Sequence, residues 1–169
     1  MKSDEFYGQE VADLIYVAVV GGGESDNELL HQAEITGKEI ARRGAVLVCG
    51  GGSGVMEAAA RGAAMEGGQA IGILPGNIPQ AGNKYLTAAI ATGLGEARNA
   101  VITRSAHGVV AVNGEYGTLS EIALALKMNK PVVGIKTWKL EDPYGDKSNI
   151  IYASNGDEAV SKIMNLVKH

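Results

Sequence analysis

The chain is 169 residues long, 46% hydrophobic and 20% charged, with a formal net charge of −4 at pH 7. That is the composition of an ordinary globular domain, and its negative balance offers no field for displacing counterions from nucleic-acid phosphates, so nucleic acid is not an expected partner. The single cysteine, Cys49, excludes an intramolecular disulfide, a four-cysteine zinc site and a CxxC redox pair, and His31, His107 and His169 lack metal-ligand spacing, so no metal is expected.

Residues 1–13 form an acidic N-terminal extension without the apolar core of a secretory signal. The longest apolar stretch, Leu14 to Val20, is shorter than the roughly 18 residues a membrane span requires. A cytoplasmic location without a membrane partner is therefore expected. Leu14 to Val20 is instead a continuous β-branched run, the pattern of a strand buried on both faces in a parallel sheet, and it ends in Gly21-Gly22-Gly23. A helix follows from about Ser25, where Ser25 and Glu28 match a capping box; Arg42-Arg43-Gly44 reads as a cationic last turn with a glycine stop. The unit then repeats. Ala45 to Cys49 is a strand, Gly50 to Gly54 a GGGSG loop, and Met56 to Glu66 an alanine-rich helix.

Gln69 to Leu74 is a third strand, stopped by Pro75-Gly76. A loop and a short strand near Thr87 to Ala91 come next, then a helix over Glu96 to Ser105. Gly108 to Val112 is a strand, Gly117 to Met128 a helix, and Pro131 to Ile135 another strand. Glu141 to Asn149 is a polar loop, Ile150 to Ala153 a last short strand, and Val160, Ile163, Met164 and Val167 stripe a final helix. The alternation, with no composition break, predicts one three-layer α/β domain: a Rossmann-like, doubly wound parallel sheet of about six or seven strands. In such sheets ligands bind beyond the carboxyl ends of the strands, which is where the excess of glycine falls: 24 residues, about twice average usage.

Two readings of these loops stand. Glycines make tight βα turns, and they also let backbone amides approach a phosphate at a helix N-terminus. Neither GxGxxG opening a helix nor GxxxxGK[ST] occurs, which disfavours a standard dinucleotide site and a Walker NTPase. The candidate phosphate-binding residues are Gly22, Gly51, Gly52 and Gly54 in the first two loops, and Gly114, Glu115, Tyr116, Gly117 and Thr118 in the third. Glu115 is the awkward member, since a carboxylate beside a phosphate is repulsive. Thr118 and Glu121 also have a purely structural reading as a T-x-x-E capping box. Cys49 reads as a small buried hydrophobe and Trp138 as packing at a strand end.

Gly50-Gly51-Gly52-Ser53-Gly54-Val55-Met56 resembles the GGGxxGLM loop of the LOG-like superfamily, the proteins once labelled lysine decarboxylases. Gly114, Gly117, Thr118 and Glu121 match its PGGxGTxxE signature, with Asn113 in place of the proline and Glu115 in place of the second glycine. The resemblance runs from Ile15 to Val160. It is strongest to the branch that includes the molybdenum cofactor carrier proteins, through Gly54 to Ala59, Thr92 to Asn99 and Gly117 to Ala123. It adds Met56 to the ligand-binding set and implies a homo-oligomer, dimer or tetramer, with the pocket near a subunit interface. It does not imply lysine decarboxylation.

Two functions follow from the likeness. As a carrier, the chain binds a phosphorylated pterin of the molybdopterin type and needs no cofactor of its own. As a phosphoribohydrolase, it cleaves the N-glycosidic bond of an AMP-like nucleoside 5′-monophosphate. In that case Glu121 activates water or stabilises an oxocarbenium-like transition state, and Arg98 orients that carboxylate and the sugar phosphate. The lysine that follows the arginine in the hydrolases is replaced here by Asn99.

Overall fold

A computed structural model describes residues 14–167. The expected extension over residues 1–13 and His169 lie outside the described residues. Seven strands and five helices alternate: β1 (Tyr16–Gly21), α1 (Asn27–Arg42), β2 (Val46–Cys49), α2 (Val55–Met65), β3 (Ala70–Leu74), β4 (Ala88–Ala91), α3 (Asn99–Ser105), β5 (Gly108–Val112), α4 (Tyr116–Lys127), β6 (Val132–Ile135), β7 (Ile150–Tyr152) and α5 (Gly156–Val167). All strand pairs are parallel, in the order β4-β3-β2-β1-β5-β6-β7. The chain winds outward from β1 to β4 and then returns to lay β5 on the other side of β1.

The apolar runs become strands because every second residue serves a different layer. Val17, Val19, Leu47, Cys49, Val110 and Val112 pack against α1, α2 and α5, whereas Ala18, Val20, Val48, Val109 and Ala111 pack against α3 and α4. Burying a side chain of this size contributes roughly 1.5–3 kcal/mol, so a sheet covered on both faces carries most of the core.

Helix ends needed tertiary information. The expected Ser25–Glu28 capping box is not formed. Asp26 is the cap, its carboxylate accepting from the Leu29 N–H at 2.9 Å, while Ser25 Oγ accepts from Asn113 Nδ2 at 3.3 Å and Glu28 pairs with Lys136 at 2.9 Å. The register of Leu29, Ala33, Gly37 and Ile40 against the core moves the start by one residue. The glycine stop is as expected, with Gly44 left-handed at φ 70°. The single helix expected over Glu96 to Ser105 is a 3-10 turn, Gly95–Arg98, followed by α3. Gly93 and Gly95 both have positive φ and bend the entry. At its far end α3 is clamped by Lys130, whose ammonium donates to the carbonyls of Thr103, Arg104 and Ala106.

Helices α1 and α2 approach until backbone meets backbone. A Cβ on Gly37 would overlap the Ala59 carbonyl oxygen, and one on Gly62 would overlap that of Glu34. Alanine is a better helix former than glycine by about 1 kcal/mol. Gly37→Ala and Gly62→Ala should nonetheless destabilise the protein, by roughly 1–3 kcal/mol, because neither carbonyl can yield without separating the helices. Urea denaturation of the two variants checks this; an unchanged or raised midpoint would contradict the close crossing.

Candidate functional site

Between β1 and β5 the direction of winding reverses, and a cleft opens at their carboxyl ends. Its walls are Val20 to Gly23 after β1, Gly50 and Met56 after β2, Glu96, Arg98 and Asn99 before and in α3, and Glu115, Gly117, Thr118 and Glu121 at the start of α4. Its volume is about 130 Å³. Small-molecule sites run from about 300 to 1,000 Å³, so this cleft has room for no more than one group of a molecule of that size.

Of the residues singled out from sequence, Gly22, Met56, Arg98, Glu115, Gly117, Thr118 and Glu121 line the cleft together. Gly51, Gly52, Gly54, Gly114 and Tyr116 do not, and each has a structural account. Gly51, at φ 75°, lies against Leu74, and its carbonyl accepts from the Asn83 N–H; the Gly52 carbonyl accepts from Asn83 Nδ2. Gly54 caps α2 at φ 66°, where a Cβ would overlap the carbonyl oxygens of Gly22 and Gly23. The Gly22 carbonyl accepts from the Val55 N–H at 3.1 Å, so the N-terminus of α2 already holds a backbone partner. Gly114, at φ 138°, lets the loop fold over the Thr118 side chain. Tyr116 stands outside the cleft, tilted against Trp138 with ring centroids 5.9 Å apart. Sequence reasoning missed Val20, Gly21, Gly23, Gly50, Glu96 and Asn99 as cleft residues. The glycines adjoin chosen ones, Asn99 stood out as a replaced lysine, and Glu96 lay within the Thr92 to Asn99 stretch of the resemblance without being assigned a role.

The start of α4 differs from that of α2. Its cap residue, Glu115, makes no side-chain capping bond, and the N–H groups of Tyr116, Gly117 and Thr118 have no acceptor among the described residues. Three free amides at the positive end of a helix dipole suit an anion. The expected Thr118–Glu121 capping box does not form, because the helix begins before Thr118. Thr118 sits in the first turn, and the i+3 spacing turns Glu121 inward rather than back to the cap. Asn113 has φ 56°, and its N–H donates to the Ile135 carbonyl at 2.9 Å. Asparagine tolerates that left-handed conformation, whereas a proline, the residue of the LOG-like signature that this loop resembles, could neither adopt it nor donate.

Glu121 is 6% exposed and accepts no hydrogen bond among the described residues. Arg98 Nη1 is 3.9 Å from its Oε1, close enough to attract but beyond hydrogen-bond length. The guanidinium lies over Gly50, where a Cβ would stand 2.5 Å from Nη1, and its buried Nε has no partner among the described residues. Asn99 Nδ2 donates to Ser120 Oγ at 3.0 Å, and that hydroxyl donates to the Gly117 carbonyl at 2.6 Å, tying α3 to the first turn of α4. Burial pushes the Glu121 carboxyl up to about 7, against the pull of Arg98 and with a small addition from Glu96. Beneath the loop, burial holds the Cys49 thiol at about 11, so it acts as a small hydrophobe.

The raised carboxyl makes stability pH-dependent. An unfolded glutamate ionises near 4.5, whereas Glu121 in the fold holds its proton to about 7. Between those values the native state binds more protons than the unfolded one, so stability falls as pH rises, by an amount on the order of 3 kcal/mol. Glu121→Gln should remove that slope. Denaturant titration should find it close to wild type near pH 4 and more stable near pH 8; equal stability at pH 8 would show Glu121 ionising normally.

The family model that matches residues 14–163 describes the SLOG cluster4 family. A protein of Archaeoglobus fulgidus, itself uncharacterised, is 44% identical over 123 residues, 73% of this chain and 81% of the relative. Among solved structures, the molybdenum cofactor binding protein of the phototrophic bacterium Rippkaea orientalis is 34% identical, with a TM-score of 0.83 over 92% of this chain and 99% of that one. The Moco carrier protein of Chlamydomonas reinhardtii is also 34% identical, with a TM-score of 0.79 over 92% and 98%. A single-stranded-DNA-binding DNA processing protein A of Helicobacter pylori, at 18% identity and a TM-score of 0.67, shares the fold alone. The likeness read from the sequence to the carrier branch thus holds over nearly the whole chain, which belongs to the SLOG cluster4 family.

Proposed function

We propose that this protein binds a phosphorylated pterin of the molybdenum cofactor type and acts as a carrier for it. The observation that carries the reading is the 34% identity, over 92% of the chain, to a molybdenum cofactor binding protein of the same fold. The site's chemistry supports it. Free amides at the start of α4, the Thr118 hydroxyl and the Arg98 guanidinium are donors suited to the oxygens of a phosphate. One cation faces three carboxylates, Glu96, Glu115 and Glu121, so backbone amides rather than side-chain charge hold the anion. The same carboxylates suit the amino and ring N–H donors of a pterin. Asn99, Asn113 and Glu115 all depart from the hydrolase pattern at the cleft or its rim.

One observation favours the hydrolase reading. A carboxyl titrating near neutrality beside an arginine is equipped for general acid–base work on a glycosidic bond. The two readings separate cleanly. Mass spectrometry of small molecules carried through native purification should find a phosphorylated pterin, and incubation with AMP should release no adenine. Rapid adenine release, lowered about a hundredfold or more by Glu121→Gln and by Arg98→Ala, would instead establish hydrolysis.

A further inference from the structure

Beside the cleft lies a second, shallower trough between the 3-10 turn and α3 on one side and α4 on the other. Tyr116, Ser120 and Leu124 form its α4 wall, and Ala97 and Ala100 face them. Glu96, Asn99 and Gly117 line both trough and cleft, so the two spaces are continuous across the first turn of α4. Building on the proposed pterin-phosphate reading, we infer that the trough is the second subsite of the same ligand: the phosphate occupies the cleft, the chain passes over Gly117, and the planar heterocycle lies against Tyr116.

Four observations lead there. At about 130 Å³ the cleft takes one group of such a ligand, so the rest must leave across its rim. Gly117 sits at that crossing, and its glycine has no cause among the described residues. A Cβ there would meet nothing within 4 Å, and its φ is not in the left-handed region. Glycine costs up to roughly 0.5–1 kcal/mol relative to alanine in mid-helix and less in a first turn, and no packing here offsets even that smaller cost. A ligand crossing that surface accounts for the open space. Tyr116 is 81% exposed, far more than a large aromatic needs to be, and its only aromatic neighbour among the described residues is the tilted Trp138. Trp138 is itself tied down, its Nε1 donating to the Glu115 carbonyl at 3.3 Å, so it backs Tyr116.

Charge sets the orientation. Among the described residues the trough contains no cation, and its one charged residue is Glu96, so it repels a phosphate and accepts an uncharged ring with amino donors. The cleft contains Arg98 and the free amides. Its buried Glu121 carboxyl, with no hydrogen-bond partner among the described residues, faces the space through which the ligand would run.

Isothermal titration with two probes tests the assignment. Neopterin phosphate carries both ring and phosphate, and glycerol 3-phosphate carries the phosphate alone. Tyr116→Ala should weaken neopterin phosphate about tenfold, the scale of one ring stacked on an aromatic side chain, and leave glycerol 3-phosphate unchanged; Tyr116→Phe should restore binding. Gly117→Ala should keep or raise thermal stability while weakening neopterin phosphate. If wild type binds neopterin phosphate and Tyr116→Ala binds it equally well, the trough assignment falls and the carrier reading stands. If wild type does not bind it, both fall. Equal affinities with a changed sedimentation coefficient in Tyr116→Ala would overturn the subsite too, making the trough a contact between copies of the chain.

Discussion

The order of the strands is the constraint from which the site follows. Winding out from β1 to β4 uses one direction along the sheet, and β5 can join only by returning past the first strand. At that reversal the connections after β1 and β5 leave toward opposite faces, α1 on one and α4 on the other, and neither covers the gap between them. The cleft is the space the topology cannot fill. What lines it is decided by how closely the loops approach. Gly54 admits the Gly22 and Gly23 carbonyls against the start of α2, and Gly50 admits the Arg98 guanidinium.

The starts of α2 and α4 show how similar glycine-rich loops part ways. Both follow buried strands and both begin helices. The α2 start receives one backbone carbonyl from the neighbouring loop, that of Gly22 on the Val55 N–H, which leaves the Met56 and Glu57 N–H groups without an acceptor among the described residues. The α4 start receives nothing among the described residues, although Trp138, Thr137 and Ser120 all bond to carbonyls around it. Its carbonyls are held while its amides are free, a rigid arrangement with donors to spare. Arg98 and Glu121 sit below it in a dry environment in which a single proton on Glu121 changes the balance of charge.

The sheet was legible because strands buried on both faces need unbroken β-branched runs; the expected strand at Gly108 to Val112 is β5 itself, and the others differ by a residue or two at their ends. The glycine stop at Gly44 was legible because its cause is local. What escaped was set by distant contacts. An i,i+3 pair such as Thr118 and Glu121 satisfies a capping box and an inward helix face equally well, and only the position of the helix start decides between them. Which of Gly50, Gly51 and Gly52 faces the cleft depends on where Arg98, Leu74 and Asn83 arrive from elsewhere in the chain. Asn113 was visible as a missing proline, but its left-handed backbone was not. Glu96, an exposed acid after a glycine, fell within the Thr92 to Asn99 resemblance but carried no signal of its own.

In the proposed complex a phosphorylated pterin is held on the free amides of α4, which backbone amide resonances followed during titration with neopterin phosphate would report. Large shifts are expected at Gly117 and Thr118, little change at Gly51 and Gly52, and the same α4 shifts, smaller in extent, with inorganic phosphate. Shifts confined to Gly51, Gly52 and their neighbours, with Gly117 and Thr118 unmoved, would place the ligand elsewhere and rule out binding at the start of α4.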